Sequence, residues 1–575
     1  MKRKHSTDDF FVFDVETGFR LLDASIIWEL NARPESFQFG CVYGKNFSKV
    51  IYSVESFNIE FLQPRYKGKT VFAHNAEYDL TTIYGNIFDM DPEALFVGSK
   101  FMSASNGNCK FADSGNIFTK TKVEKLGELL GMPKGKLGDA LHSPNGITSE
   151  EINYCLRDCE IVWESLRNIF EFAGGQKISQ AGLSLLYFRN TFLKKPLYNN
   201  EIYNKDFFQS YYGGRTECFQ MGACEANVID ANSMYPFIMA NREFPDPSTS
   251  SIMKVSIKNL DNVFNNFEGL LYCKVKHAET DIGFLPFRNK GKLCFPVGTF
   301  SGCWNFNELK FAIDFGIVSI VEIYKAVVCK KMESPFKDFV NTLYEQRINS
   351  KDDSEIYRIK IFLNSLYGKF GQRNNIKSVY IHDIHKQFSF IEQAMIDKTF
   401  VRLIMFNDQR QDAFMEVKTP EAKTPAHQIP SFASYVTSGA RIHLLRELLE
   451  IKKVYNVVYC DTDSIFYEGP RSVNVSKKLG DWKAEKKTVT SINGLKNYEY
   501  IEDGRNEKIE LLKGVPKVNV FDGDRYNFQT LMKTKEALRR NLQPGILTDR
   551  YRTKKFQYDK RIVYPNGLTA PICIS

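Results

Sequence analysis

Two sets of acidic residues stand at spacings suited to chemistry on phosphates. In VYNVVYCDTDSIFYEG, Asp461 and Asp463 lie between two β-rich runs, which predicts a hairpin with two carboxylates at its turn. Carboxylates crowded in this way are costly to ionise unless a cation binds. Asp230, in VIDANSMYP, ends another strand-like run and is followed by Tyr235-Pro236. Two strand-borne acidic sites far apart in sequence can converge on two Mg²⁺ ions that bind a triphosphate and polarise a 3′-hydroxyl, which is nucleotidyl transfer. In IKIFLNSLYGKFG, Lys360, Asn364 and Tyr367 fall at i, i+4 and i+7. One side of a helix then carries a cation for phosphate, an amide, and an aromatic plane for a base pair.

The other set lies earlier. Asp14 and Glu16 flank Val15, so on an extended strand both side chains share one face. HNAEYDL places Asn75 and Asp79 four apart, and Tyr154 and Asp158 share a face of a helix expected from Ser149. Asp14, Glu16, Asp79 and Asp158 together could hold two divalent ions about 4 Å apart, the arrangement for in-line hydrolysis of a phosphodiester, with Tyr154 orienting the water.

These residues need scaffolds. Phe10–Val15 and Val71–Ala73 read as buried strands that end at polar residues, and further acidic strand ends are expected at Val228–Asp230 and within Val454–Ser464. The run from Ser149 reads as a helix with apolar positions at Ile152, Leu156, Val162, Leu166 and Ile169, and Gly174-Gly175 closes the first unit. Pro236 and Lys360 are separated by 123 residues, enough for a subdomain, and Gly368 and Thr437 by 68, read as a hairpin with extended arms that includes the loop-like KTPEAKTPAHQIP.

At 575 residues the chain exceeds one core, and 43% hydrophobic with 25% charged residues excludes a disordered or collagen-like protein. Twelve cysteines without a Cys-x-x-Cys pair read as reduced thiols. No apolar stretch is long enough to span a bilayer, and the charged start MKRKHSTDDFF lacks a signal core, so a cytoplasmic protein without a membrane partner is expected. The net charge is +9, and from Arg505 onward 15 Lys and Arg face 7 Asp and Glu, so nearly all of the excess lies at that end. Contact with phosphates is the functional reading of that excess, and a solvated surface is the bland one. No Gly-x-x-x-x-Gly-Lys-Ser/Thr run is present, which disfavours a P-loop motor.

DANSMYP, KIFLNSLYGKFG and YCDTDS, in that order, resemble motifs A, B and C of family B DNA polymerases, and the earlier carboxylates resemble the three exonuclease motifs of proofreading polymerases. The resemblance runs from about Phe13 to Lys513, and the compactness and two insertions are similar to the protein-primed branch of phages and linear mobile elements. It implies a mixed α/β and α+β multidomain chain: an RNase H-like 3′–5′ exonuclease domain (1–188), palm with motif A (189–239), a terminal-protein-contact-like insertion (240–340), fingers with motif B (341–372), a strand-displacement and processivity insertion (373–430), palm with motif C (431–513) and a basic thumb (514–575).

By the same resemblance, Asp230 and Asp463 are principal metal ligands with Asp461 beside them. Tyr235 is the steric gate against a 2′-hydroxyl, Ser233 belongs to the nucleotide site, Lys360 meets the triphosphate, and Asn364 and Tyr367 face the nascent pair. DNA contacts are implied for Asn75, for Tyr211, Gly213 and Gly214 of YYGGR, for Thr437 and Arg441 of VTSGAR, for Lys496 and Tyr498 of LKNYEY, and for Lys513. Lys134 matches a lysine used near the exonuclease site in protein-primed members, with Lys136 competing for the role, and the register of Arg347 as a phosphate contact is open. Where relatives often carry Ser-Leu, this chain reads Asp113-Ser114-Gly115, and no contact is assigned to Ser114.

The implied protein is a monomeric DNA-templated DNA polymerase with proofreading, using two Mg²⁺ (or Mn²⁺) per site, template and primer DNA, dNTPs, a terminal protein and a single-strand-binding protein. Its alternatives are the same fold with nucleic-acid priming or no primer, and a nuclease whose remaining portion only binds DNA.

Overall fold

The computed structural model describes the chain apart from residues 1–6, 19–35, 136–146, 374–375, 386, 406–410, 419–424, 426, 472–475, 516–519, 523–524, 541, 543–546 and 554–557. Lys136 and most of KTPEAKTPAHQIP lie outside the described residues.

Alternating Phe and Val near the start of the chain build a sheet covered on both faces. Its strands are β1 (Phe11–Gly18), β2 (Ser36–Gly44), β3 (Phe47–Ile51), β4 (Thr70–Ala73), β5 (Leu95–Val97), β6 (Lys100–Ser105) and β7 (Lys110–Asp113), in the order β3-β2-β1-β4-β7-β6-β5. The neighbours β1, β4 and β7 run parallel, so Asp14–Glu16, His74–Asn75 and Asp113–Ser114 emerge at one end. Helix α1 (Ala76–Tyr84) leaves that end, and helix α2 (Ser149–Ala173) covers β1 and β2. Its cap is one residue earlier than the sequence suggests. Thr148 and Glu151 form a reciprocal capping box, and Gly174, at φ 72°, ends the helix. The buried stripe also differs: Ile152 and Leu156 are half-buried, while Cys155 and Cys159 are fully enclosed over Asp14 and Cys41.

A second sheet holds the later acids. It is built from β8 (Thr216–Cys218), β9 (Gly222–Ala231), β10 (Asn456–Asp461), β11 (Ser464–Glu468), β12 (Trp482–Gly494), β13 (Asn497–Glu502) and β14 (Lys508–Leu512), in the order β14-β13-β12-β9-β11-β10-β8. All its pairs are antiparallel, and helix α3 (Asp353–Phe370) packs on helix α4 (Pro430–Lys452), which lies against β10 and β11.

Both intervening segments are folded. The longer one contributes a sheet in which Phe267–His277 lies between Val297–Asn305 and Val318–Met332. The shorter one exceeds a hairpin: Ala413–Lys418 is the centre of three strands, flanked by Ile376–Ile381 and Phe400–Met405, with a helix at Phe388–Ile396. Its Tyr380 and Phe414 rings pack on Phe88 of the first unit at 5.1 and 4.8 Å.

The basic end of the chain is two different structures. Strands Val520–Asp522, Arg525–Leu531 and Leu547–Thr553 form a separate sheet, and the helix Thr534–Arg539 docks on the first unit, where the Thr534 N–H donates to buried Glu77 at 2.8 Å. From Tyr558 the chain turns back under the second sheet, and Cys573–Ile574 pairs with Val297–Gly298. Arg561 is 3% exposed and ion-paired to Glu217, so this cation is unavailable to phosphates, and the segment from Tyr558 does not belong with the basic sheet. No described helix is long and apolar enough to cross a membrane.

Candidate active sites

At the first site, β1 projects Asp14 and Glu16 to one side, and the Val15 N–H between them donates to Asp79 Oδ1 at 3.3 Å. That bond brings α1 against β1. Asn75 enables the turn into α1 by taking a left-handed conformation, φ 76°, with its N–H bonded to Asp113 at 3.0 Å. From α2, Asp158 and Tyr154 meet Lys134, whose ammonium lies 2.5 Å from the Asp158 carboxylate and 4.6 Å from the Tyr154 ring centre. Asp14, Glu16, Tyr154, Asp158 and Lys134 line a cavity of about 260 Å³ together with His74 and Cys159. It adjoins a larger cleft of about 1120 Å³ that shares His74, Lys134 and Tyr154 and is also lined by Asn75, Lys100, Phe101, Lys120, Lys122 and Lys533.

The electrostatics suit a bound cation. Burial, then Asp79, Glu16 and Asp158, push Asp14 well above the usual carboxylate range, and burial and Asp158 push Glu16 to about 7. Burial also raises Asp79, and it raises Asp158 against the opposing pull of Lys134. Asp158 Oδ1 is buried without a hydrogen-bond partner. A lone ammonium does not balance four carboxylates, so the donor set fits divalent ions.

Three contributors here escaped the sequence reading. His74 is held between Ser114 Oγ (2.9 Å) and the Thr121 carbonyl (2.8 Å), which gives Ser114 a role behind the site despite the absent leucine. Cys155 brings its sulfur within 4.8 Å of the Asp14 and Glu16 oxygens. Lys533 reaches the cleft from the other end of the chain and lies 3.0 Å from Glu77.

At the second site, β11 pairs with β9 so that Ser464 faces Asp230, which sets Asp463 at the turn beside Asp230. The Ala231 N–H donates to the Asp463 carbonyl at 2.8 Å and the Thr462 N–H to the Arg215 carbonyl at 2.7 Å. Burial, then Asp230 and Asp461, raise Asp463 to about 6, and burial raises Asp230 despite Lys483. Lys483, on the neighbouring β12, stands 3.0 Å from Asp230, and Lys496 stands 3.0 Å from Asp461. Lys483 faces Asp230 in the strand register, a relation that neither its DWKAE context nor its spacing announces. These carboxylates also fit divalent ions: carboxyl groups converge on one another, with ammonium groups at their edges.

Helix α3 presents Lys360 and Asn364 exposed and Tyr367 half-buried, its ring 4.5 Å from that of Tyr235. Arg347 acquires a register: its guanidinium donates to Ser233 Oγ at 3.0 Å. Ser233 (φ 52°), Thr462 (φ 62°) and Lys496 (φ 53°) all adopt the left-handed region, as Asn75 does at the first site. Such strain clusters where surrounding structure enforces a functional geometry.

The expected DNA contacts divide. Gly213 is exposed and Gly214 packs against the Asp461–Asp463 turn, where an added Cβ would lie 2.8 Å from Thr462. Asn75, Lys496 and Lys513 are exposed, and Tyr211 is half-buried. Three others are corrected. Thr437 is 2% exposed and bonds its own helix, Arg441 is 3% exposed and binds Glu308 at 2.7 Å, and the Tyr498 ring packs on Phe466 at 5.3 Å. Arg441 also donates to the Tyr212 and Gly213 carbonyls at 2.9 and 2.8 Å, so it supports the glycine segment from behind.

Residues 105–478 match the family model described as DNA polymerase type B, organellar and viral. A probable DNA polymerase of Podospora anserina is 29% identical over 62% of this chain, and the DNA polymerase of Streptococcus phage Cp-1 is 24% identical over 75% of this chain and 77% of its own length. The chain spans about a third of the Podospora protein. Among solved structures, phi29 DNA polymerase complexed with primer-template DNA and incoming nucleotide substrates aligns over 95% of this chain and all of its own, with TM-score 0.69 and 17% identity. The fold is therefore that of an exonuclease domain followed by palm, fingers and thumb.

Proposed function

Because this chain belongs to the organellar and viral group of type B DNA polymerases, we propose that it is a DNA-templated DNA polymerase with a separate 3′–5′ proofreading site, replicating a linear phage or mobile-element genome from a protein primer. The observation that carries this reading is the convergence of Asp230, Asp461 and Asp463 on adjacent strands, near a helix that exposes Lys360 and Asn364 and packs Tyr367 on Tyr235. The members of its family use divalent ions, and two Mg²⁺, or Mn²⁺, at each site is the proposed occupancy. Asp230, Asp461 and Asp463 would hold those of the polymerase site, and Asp14, Glu16, Asp79 and Asp158 those of the exonuclease site. Bound there, the ions supply charge neutralisation of phosphates and activation of the attacking oxygen.

The protein's own residues do the rest. Lys360 receives the triphosphate, Tyr235 stacks under the deoxyribose, and Tyr367 and Asn364 meet the nascent pair. Ser233, held by Arg347, fixes the turn into Tyr235. Template and primer contact Tyr211, Gly213, Gly214, Lys496 and Lys513. The basic sheet of the thumb grips product duplex through phosphates, with affinity that falls as salt rises. In the exonuclease domain, Asn75 and the lysine-rich cleft receive a single-stranded 3′ end, and Tyr154 orients water.

Lys134 anchors Tyr154 and Asp158. Lys134→Ala is expected to lower excision of a single-stranded 3′ end by about 10²-fold with incorporation unchanged, read from gel-resolved degradation of a labelled oligonucleotide. Priming is tested with template, Mg²⁺ or Mn²⁺ and labelled dATP, with and without the product of a neighbouring terminal-protein gene. A labelled protein band is expected. Incorporation only onto a nucleic-acid primer would favour the conventional alternative. A single-strand-binding protein, a monomeric state and a cytoplasmic location, the host's if viral, complete the proposal.

A further inference from the structure

The polymerase carboxylates are held from behind by a buried charge network that crosses from β8 to the segment after Tyr558. Strand β8 has three residues and, among the described residues, pairs only with β10 in the sheet, with Thr216 opposite Asp461, Glu217 opposite Cys460 and Cys218 opposite Tyr459. So short an edge strand has little pairing to fix it. Its other side is covered by the returning segment. The Cys218 N–H donates to the Tyr558 hydroxyl at 3.0 Å, Lys560 donates to the Thr216 carbonyl at 3.3 Å, and Thr569 Oγ1 donates to the Cys218 carbonyl at 2.7 Å.

At the centre is Glu217, with no exposed surface. It accepts from Arg215 at 2.7 Å and from Arg561 at 3.1 Å. Burial alone would raise its carboxyl, but the two guanidinium groups outweigh that and hold it below the ordinary value. Arg561 further donates to Thr569 Oγ1 at 2.7 Å and to the Asp281 carbonyl at 2.6 Å, and Arg215 to the Gly283 carbonyl at 2.8 Å.

This network lies one strand from the catalytic hairpin. The Arg215 carbonyl accepts the Thr462 N–H at 2.7 Å, and Thr216 Oγ1 donates to Asp461 Oδ1 at 3.3 Å. A buried ion network is weak as a source of net stability, because desolvation offsets the attraction, but losing one partner leaves a buried charge uncompensated, which disfavours any geometry that fails to pair every member. Here that geometry is the position of β8 against a strained turn carrying two of the polymerase acids.

We propose that Arg561 is a positioning residue for nucleotide incorporation: through Glu217 and Arg215 it sets the Asp461–Thr462–Asp463 turn, acting without touching DNA or nucleotide. This rests on the polymerase reading above.

The test uses the full chain with Arg561→Met, Arg561→Lys and Thr569→Val, the last removing a hydroxyl that both orients the guanidinium and bonds the Cys218 carbonyl of β8. Primed-template incorporation is measured against dNTP and against Mg²⁺ concentration, together with thermal melting and 3′ excision. Arg561→Met is expected to lower kcat by about 10²-fold while KM for dNTP moves by less than about threefold, with a raised Mg²⁺ requirement and excision retained. Arg561→Lys should recover part of the loss, and Thr569→Val should show the same pattern weakly. Should Arg561→Met fail to fold, Arg561→Lys decides, because Thr569 also bonds β8 directly. Wild-type kcat and Mg²⁺ requirement in folded variants, or parallel loss of incorporation and excision, would overturn the proposal. A wild-type chain that melts cooperatively yet incorporates nothing overturns the polymerase reading itself.

Discussion

Asp463→Ala is expected to abolish nucleotide incorporation, lowering kcat by at least about 10³-fold, while excision of a single-stranded 3′ end continues at the wild-type rate. Asp463 lies at the turn between β10 and β11, with its carboxyl raised to about 6 by burial and by Asp230 and Asp461. A carboxylate in that position is costly for the empty protein and useful only with a cation. Removing it leaves the hydrogen bonds of the turn intact, because the Thr462 and Ala231 bonds are made by backbone atoms. Primer extension and oligonucleotide degradation on the same preparation check the outcome. Loss of both activities in a variant that still melts cooperatively would defeat the two-site arrangement.

Asp14→Asn should do the reverse, and it should also stabilise the metal-free chain. Incorporation is retained and excision falls by at least about 10³-fold. The stability effect follows from the sign of the shifts. Asp14, Glu16 and Asp79 are all raised in the folded state, Glu16 from 4.5 to about 7. Their contribution is therefore fully present below the unfolded carboxyl values and is lost as pH rises through the folded values. With EDTA, the wild-type Tm should fall between about pH 5 and pH 8, and Mg²⁺ should restore more of it at the higher pH. The Asn variant should melt a few degrees higher than wild type near pH 8 in EDTA, and the two should approach each other at about pH 5. Equal pH slopes for wild type and variant would contradict the account.

Much of the scaffold was legible because its signals are local. The apolar run Phe10–Val15 appears in β1, the two runs around Asp461 and Asp463 appear as β10 and β11, and the helical spacing of Lys360, Asn364 and Tyr367 falls within α3. The places where the reading failed are those where burial depends on distant partners. Thr437, Arg441 and Tyr498 have the composition of a polar or aromatic nucleic-acid surface, yet each is enclosed, Arg441 because Glu308, far earlier in the chain, arrives to pair with it. The shorter insertion read as a hairpin because only the fold reveals that Ala413–Lys418 pairs on both sides.

The sequence by itself determined the arrangement of the acids: which of them stand together, in what order, and that two sets of them exist. Those are properties of residue type and spacing, which backbone period converts directly into shared faces. It also located the positive charge after Arg505. Only the tertiary structure decided what that charge does. Arg561 is neutralised internally by Glu217, and Lys533 enters the cleft of the first unit beside Glu77. Charge counting is blind to this, because whether a cation meets solvent, a phosphate or a buried carboxylate is set by chain segments more than 340 positions apart.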